Sequence, residues 1–155
     1  MSALLAAAPA AALDNNALAP LFSLPGISAA VTLKQFRGQL VYLDFWASWC
    51  GPCKQSFPFM NAMQRKYASR GLRVVAVNVD QAASDAERFL RTVPAEFTIA
   101  FDSEGISPKK YAIKAMPSSV LIGRDGKILS VHQGFKKTDE AGLERAILEA
   151  LDSGA

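Results

Sequence analysis

Cysteine and histidine are scarce in this chain, whose 155 residues include two cysteines and one histidine. A structural zinc site needs four protein ligands, usually cysteine and histidine, so a single copy of the chain cannot complete one. We therefore expect no metal site. A purely structural disulfide between the two cysteines remains an alternative, although closing so short a loop stabilises a fold only weakly.

Long apolar runs and dense charge are also missing. No stretch of about 18 apolar residues occurs, so we expect no membrane-spanning helix. The formal net charge is +3, and it is spread along the chain without a block of like charges. This spread argues against nucleic-acid binding, which favours a basic stripe. Half of the residues are apolar, as expected of one soluble domain with a sizeable core.

Basic residues are absent from the first 33 positions. Within them, residues 4–12 form an alanine-rich stretch with Ala-x-Ala patterns, typical of the end of a secretory signal peptide. A flexible tail without a targeting role is the alternative. We expect residues 1–20 to be a disordered tail or signal-peptide remnant, and residues 21–155 to be one extracytoplasmic domain.

Hydrophobic patterning predicts alternating strands and helices. Apolar runs indicate buried strands, and amphipathic segments indicate helices between them. Ser84 and Glu87 have the spacing of a capping box that opens the second helix. The expected strands are 40–46, 72–79, 97–101, 119–122 and 127–133, and the main helices are 54–70, 84–93 and 139–151. This order predicts an α/β fold with a mixed central sheet and helices on both faces.

The two cysteines lie close together, as Cys50-Gly51-Pro52-Cys53, between the first long strand and the helix after it. A Cys-x-x-Cys pair at such a junction can open and close a disulfide, which is redox chemistry. Cys50 at the helix N-terminus should ionise readily, because unpaired N–H groups there favour negative charge. Cys53, one turn later, should be more buried. Pro52 suits the first helical turn, and Gly51 leaves the attacking sulfur open to a partner.

These residues carry a resemblance to a known family. Residues 44–54, Asp-Phe-Trp-Ala-Ser-Trp-Cys-Gly-Pro-Cys-Lys, resemble the active-site segment of thioredoxin-fold proteins. Residues 116–122, Met-Pro-Ser-Ser-Val-Leu-Ile, resemble the cis-proline loop and the strand that it enters. The helix and strand predicted between about residues 84 and 101 resemble the central insertion of the TlpA/ResA branch.

The resemblance implies a thiol–disulfide oxidoreductase, and the Gly-Pro dipeptide favours a reductase. Members of this branch usually work outside the cytoplasm, often tethered to a membrane, and often reduce apocytochrome c or other cysteine-bearing proteins. A membrane thiol reductase of the DsbD or CcdA kind recharges them. The redox-active disulfide Cys50–Cys53 would then need no added cofactor, and we expect a monomer.

Other positions take roles that the resemblance implies. Asp44 matches a buried carboxylate beneath the cysteines, which would accept the proton of Cys53; a purely structural role is the alternative. Pro117 is expected to be cis, with the Met116 backbone beside the sulfurs to pair with an extended partner. Trp49, together with Gly51 and Pro52, would contact that partner.

The chain also departs from the family pattern. Ser56 stands where some ResA-like proteins carry a glutamate, which weakens the expectation of a cytochrome client. Ala76 stands where thioredoxin has a buried lysine, so Asp44 should lack that partner.

Two other functions stay open. A copper-handling or chaperone module could use Cys50, Cys53 and Met116 to bind Cu(I). A peroxidase of the peroxiredoxin type would need threonine at the position of Ala47.

Overall fold

Alternating strands and helices make up residues 13–155, which are the residues that the computed structural model describes. The strands are β1 (Ser23–Leu24), β2 (Val31–Thr32), β3 (Leu40–Trp46), β4 (Leu72–Asn78), β5 (Thr98–Phe101), β6 (Ser118–Ile122) and β7 (Ile128–Gln133). The α-helices are α1 (Gly51–Tyr67), α2 (Ala83–Thr92), α3 (Ile106–Lys110) and α4 (Glu140–Ser153).

The central sheet has the strand order β5-β4-β3-β6-β7. Strands β3, β4 and β5 run parallel, whereas β6 is antiparallel to β3, and β7 is antiparallel to β6. All seven residues of β3 are buried. A central strand covered on both faces needs apolar residues on both sides, which explains why six of its seven residues are apolar and only Asp44 is charged. The predicted mixed sheet is confirmed.

Two hydrophobic clusters cover the two faces of the sheet. On one face, α1 packs Phe57 against Trp46, with ring centroids 4.9 Å apart. Phe89 of α2 lies 4.8 Å from Trp46 and 5.1 Å from Phe57, measured between centroids. These contacts hold the start of α1 against the end of β3, where the cysteines lie.

The three main predicted helices are present with shifted termini: α1 begins at Gly51 and ends at Tyr67 rather than spanning 54–70, and α4 ends at Ser153 rather than at residue 151. α2 begins at Ala83 with Ala82 as its N-cap, and no side chain caps it. The predicted capping box of Ser84 and Glu87 is therefore wrong, because Ser84 lies inside the helix rather than before it. Among the helices of residues 13–155, none combines the length and apolarity that a bilayer crossing requires.

The segment before β1 is better packed than the sequence predicts. The Asn16 N–H donates to the Ile128 carbonyl at 2.8 Å, and the Tyr111 hydroxyl donates to the Pro20 carbonyl at 2.6 Å. Ala19 is 5% exposed. The expectation of a disordered tail through residue 20 is thus wrong for residues 16–20, which contact strand β7 and the chain after α3. The signal-peptide remnant expected at residues 4–12 lies outside the described residues.

Candidate redox site

Cys50 and Cys53 lie at the start of α1 and are joined by a disulfide, with their Cα atoms 5.4 Å apart. Cys50 is the N-cap residue of the helix. It is 4% exposed, whereas Cys53 is fully buried. Unpaired backbone N–H groups at a helix N-terminus favour an anion there. The geometry therefore suits Cys50 as the attacking thiolate and Cys53 as the thiol behind it.

An exposed rim surrounds the disulfide. Trp49 is 71% exposed although its side chain is large and apolar. Gly51 and Pro52 are exposed too, and a Cβ added at Gly51 would meet nothing within 4 Å. These positions, predicted to contact a partner, leave the approach to Cys50 open.

The loop carrying Met116 and Pro117 lies at the same end of the sheet. The peptide bond between them is cis. Ser118, the next residue, pairs with Phe45 near the end of β3, and the Pro117 carbonyl accepts a hydrogen bond from Gly134 N–H at 2.7 Å. The partly buried Met116 packs against the hydrophobic cluster that includes both cysteines. The fold therefore brings together the two segments that the sequence marked as site elements.

Asp44 lies in the middle of β3 and is 2% exposed. Side chains alternate along a strand, so Asp44 shares a face with Tyr42 and Trp46. Those two residues pack in the cluster that contains Cys50 and Cys53. The carboxyl group thus lies beneath helix α1, on the cysteine side of the sheet.

The Asp44 carboxyl has little to stabilise its charge. Its Oδ2 atom is buried without a hydrogen-bond partner among the described residues. Ala76 lies beside it on β4, so the neighbouring strand offers no cation. Burial raises the pKa of Asp44 well above its usual range. Burial therefore favours the protonated form of this carboxyl group, which suits it to accept a proton.

Sequence reasoning missed a hydrogen-bond network that fixes the loop before Cys50. The Ser48 N–H donates to Asp80 Oδ2 at 2.9 Å, and the Ser48 hydroxyl donates to Asp80 Oδ1 at 2.8 Å. Asn78 Nδ2 also donates to Asp80 Oδ2, at 2.7 Å. Strands β3 and β4 end side by side, with Trp46 opposite Asn78. Asn78 at the end of β4 and Asp80 two residues later were the available sequence signal.

Ser56 has a structural role in α1. It is 2% exposed, and its hydroxyl donates to the Cys53 carbonyl at 3.0 Å. The position where some ResA-like proteins carry glutamate thus contributes no carboxylate beneath the disulfide.

Metal-ligating side chains are dispersed in residues 13–155: no group of three or more His, Cys, Asp or Glu side chains is placed to hold an ion. The histidine, His132, lies on β7 with its Nε2 atom 3.3 Å from Asp139 Oδ2.

Comparison with known proteins gives consistent matches. The Redoxin family model matches residues 13–147. The thiol-disulfide oxidoreductase ResA of Bacillus thuringiensis is 34% identical over 110 residues, which are 71% of this chain and 64% of that protein. The chain therefore spans somewhat less than two thirds of the length of this curated relative.

Solved structures match over most of the chain. The proposed thiol:disulfide interchange protein DsbE of Chlorobium tepidum is 55% identical, with a TM-score of 0.89 over 90% of this chain and 99% of that one. StoA of Bacillus subtilis is 27% identical, with a TM-score of 0.70 over 84% of this chain and 98% of that one. These matches confirm the predicted thioredoxin-like fold.

Proposed function

Since the chain belongs to the Redoxin family, we propose that it is a thiol–disulfide oxidoreductase that reduces disulfides in proteins through Cys50 and Cys53. The observation that carries this proposal is the Cys50–Cys53 disulfide at the start of α1, above a buried carboxyl group. The names of its relatives ResA and DsbE support the same chemistry. The disulfide serves as the redox group, with no added cofactor.

The cycle starts from the reduced dithiol. The Cys50 thiolate attacks one sulfur of a client disulfide, so a mixed disulfide forms and the other client sulfur leaves as a thiolate. Cys53 then gives its proton to Asp44 and attacks Cys50. The second client thiolate leaves, and the Cys50–Cys53 disulfide has formed. Two electrons have passed to the client, whose two thiolates take protons from solvent.

Asp44 is the proton acceptor for Cys53 in this proposal. Its burial disfavours the charged carboxylate, so accepting a proton relieves that cost as Cys53 becomes the nucleophile. In the reverse direction the same carboxyl returns the proton when the disulfide is reduced.

The rim of the site receives the client. Exposed Trp49 offers an apolar surface beside Cys50, and the loop at Met116 and Pro117 offers backbone groups to an extended segment. Gly51 and Pro52 leave room for its approach.

We place the protein outside the cytoplasm, in the periplasm or tethered to a membrane, with a membrane thiol reductase of the DsbD or CcdA type as its electron donor. Its clients are cysteine-bearing proteins. Apocytochrome c belongs to this class, but Ser56 gives no support to that particular client. The relatives' names ResA and DsbE motivate this assignment.

Insulin reduction with dithiothreitol tests the activity. We expect the native chain to speed insulin precipitation, and Cys50→Ser to lower its rate at least 100-fold, because the nucleophile is lost. Cys53→Ser should accumulate mixed disulfides through Cys50, visible on non-reducing gels.

Two results would contradict the proposal. The first is a native rate equal to dithiothreitol alone. The second is a set of mixed disulfides that forms with Cys50→Ser and not with Cys53→Ser, which would reverse the two roles.

A further inference from the structure

One row of side chains crosses the middle of the sheet. In strand order from β5 to β7 it runs Ile99, Ala76, Asp44, Ser119, His132, each in register with the next. Directly opposed residues project to the same face, with Cβ atoms about 5 Å apart. The row is apolar on the β4 side of Asp44 and polar on the β6 side. A proton on Asp44 therefore has polar neighbours in one direction across the sheet.

A small cavity lies at the polar end of the row. Its volume is about 20 Å³, and its polar lining comes from Tyr42, Ser119, Ser130 and His132. A volume of this size suits one water molecule, which needs two to four polar partners. Helix α4 lines the cavity with the apolar side chains of Leu143, Ala146 and Ile147. The cavity therefore has room for a single water molecule that could hydrogen-bond to both Ser119 and His132.

The last residue of the row reaches solvent. The His132 side chain is 35% exposed, and its Nε2 atom is 3.3 Å from Asp139 Oδ2. A hydrogen bond from Lys136 N–H and the nearby imidazole lower the pKa of Asp139, which keeps that carboxylate charged. Asp139 thus faces His132 from the turn before α4, and Tyr42, Ser119 and Ser130 line the same cavity as His132. An imidazole can take up and release protons near neutral pH.

We propose that Ser119 and His132 form the route by which the proton of Asp44 exchanges with solvent during turnover. This inference rests on the proposed role of Asp44 as the proton acceptor of Cys53. Asp44 has an apolar neighbour, Ala76, on β4 and a polar neighbour, Ser119, on β6.

The transfer moves one proton and no electrons. After Cys53 has protonated Asp44, the carboxyl gives its proton to the Ser119 hydroxyl, which passes its own proton to the cavity water. The water protonates the His132 imidazole, and the imidazolium releases the proton to bulk solvent at its exposed side. Asp44 is again a carboxylate, and Ser119, the water and His132 return to their starting states.

Measuring both the turnover rate and the reduction potential distinguishes a proton route from a structural role. Insulin reduction is measured from pH 6 to 9 with dithiothreitol, alongside the reduction potential of each variant. We expect His132→Gln and Ser119→Ala to lower turnover at pH 7 about tenfold, less than the 100-fold or more of a directly acting acid or base. The reduction potential of the cysteine pair should stay unchanged, because losing a proton route slows the forward and reverse reactions equally. Added imidazole should restore the rate of His132→Gly.

Matched controls complete the experiment. Ser119→Thr keeps a hydroxyl and should retain turnover, and Gln133→Ala changes the neighbour of His132 on the opposite face without effect. Asp44→Asn distinguishes a failure of the proposed role of Asp44 from a failure of the route alone. If it leaves turnover unchanged, the proposed role of Asp44 falls and the route with it. If it slows turnover while His132→Gln and Ser119→Ala do not, or do so only with a shifted potential, the route alone is overturned.

Discussion

Asp44 links the stability of the protein to pH. Its pKa is raised in the folded chain, so its ionisation weakens the fold: stability is fully present below its unfolded pKa of about 4 and falls as pH rises toward the folded pKa. We expect Asp44→Asn to be more stable than the native chain at pH 8, by roughly 1–3 kcal/mol, because a buried unpaired charge is removed. Urea unfolding of both oxidised proteins at pH 4.5 and pH 8 measures this.

The oxidised forms are compared because disulfide-bonded cysteines do not titrate. Asp85→Asn is the control, since the Asp85 side chain is 47% exposed and its pair with Arg88 is 3.4 Å long; its effect should stay within about 0.5 kcal/mol. A stability difference between Asp44→Asn and the native chain that does not grow with pH would contradict the prediction.

Sequence reasoning reached some of these residues and not others. The resemblance to thioredoxin-fold proteins predicted that Asp44 lacks a cationic partner at Ala76, and the pairing of β3 with β4 places Ala76 beside Asp44. Nothing near His132 in the sequence marks it as a functional residue. Its place in line with Asp44 depends on the register of β6 against both β3 and β7, which is set by the loop at Pro117 and the turn at Gly126. Local patterns do not specify that alignment.

Between elements, Asp80 joins the end of β4 to the loop that enters α1. We expect Asp80→Ala to lower the free energy of unfolding by about 2–3 kcal/mol, because Ser48 and Asn78 lose partners in a largely buried place. Insulin reduction should slow as well, since the loop before Cys50 is no longer fixed. Thermal unfolding and turnover measure the two effects.

Glu87→Ala is a matched control for Asp80→Ala. Glu87 is exposed on α2 and lines the same surface groove as Asp80, and its removal should change stability by less than about 0.5 kcal/mol. Equal stability losses in the two variants would remove the special role assigned to Asp80.

Element order was predictable from the sequence, whereas terminal details were not. Strands β3 and β4 are buried on both faces and read as nearly continuous apolar runs. The helices are buried on one face and show apolar residues at helical spacing, so the alternating order of strands and helices could be predicted. The predicted start of α2 was wrong, since the capping-box spacing of Ser84 and Glu87 does not require the helix to begin at Ser84, and it begins at Ala83. The network around Asp80 needed two strand ends to meet, and sequence spacing alone does not show that.

At the scale of the whole molecule, Gly26 ties the N-terminal segment to the far edge of the sheet, opposite Ala100 of β5. A Cβ at Gly26 would lie 2.3 Å from the Ala29 carbonyl oxygen and 2.8 Å from Val31 Cγ2. We expect Gly26→Ala to cost about 1–3 kcal/mol of stability, because backbone must shift to admit it. Urea unfolding gives the value.

Gly142→Ala is the control, a substitution at a position with free space. A Cβ there meets nothing within 4 Å in the first turn of α4, so the substitution should stabilise the protein by about 0.4–1 kcal/mol.

A Gly26→Ala variant as stable as the native chain would contradict the prediction, because it would show that the N-terminal segment is not fixed beside β5.

The stretch from Asn16 to Gly26 has a consequence for solubility. It pairs with the start of β7, through Asn16 and Ala17, and with β5, through Pro25 and Gly26. Outer strands with free backbone groups are templates for aggregation with other chains. The cysteine-bearing clients proposed above would be such chains when unfolded. Because this stretch covers part of both outer strands, it leaves fewer free backbone groups at the sides of the sheet, and the end that carries Cys50 stays open for the proposed clients.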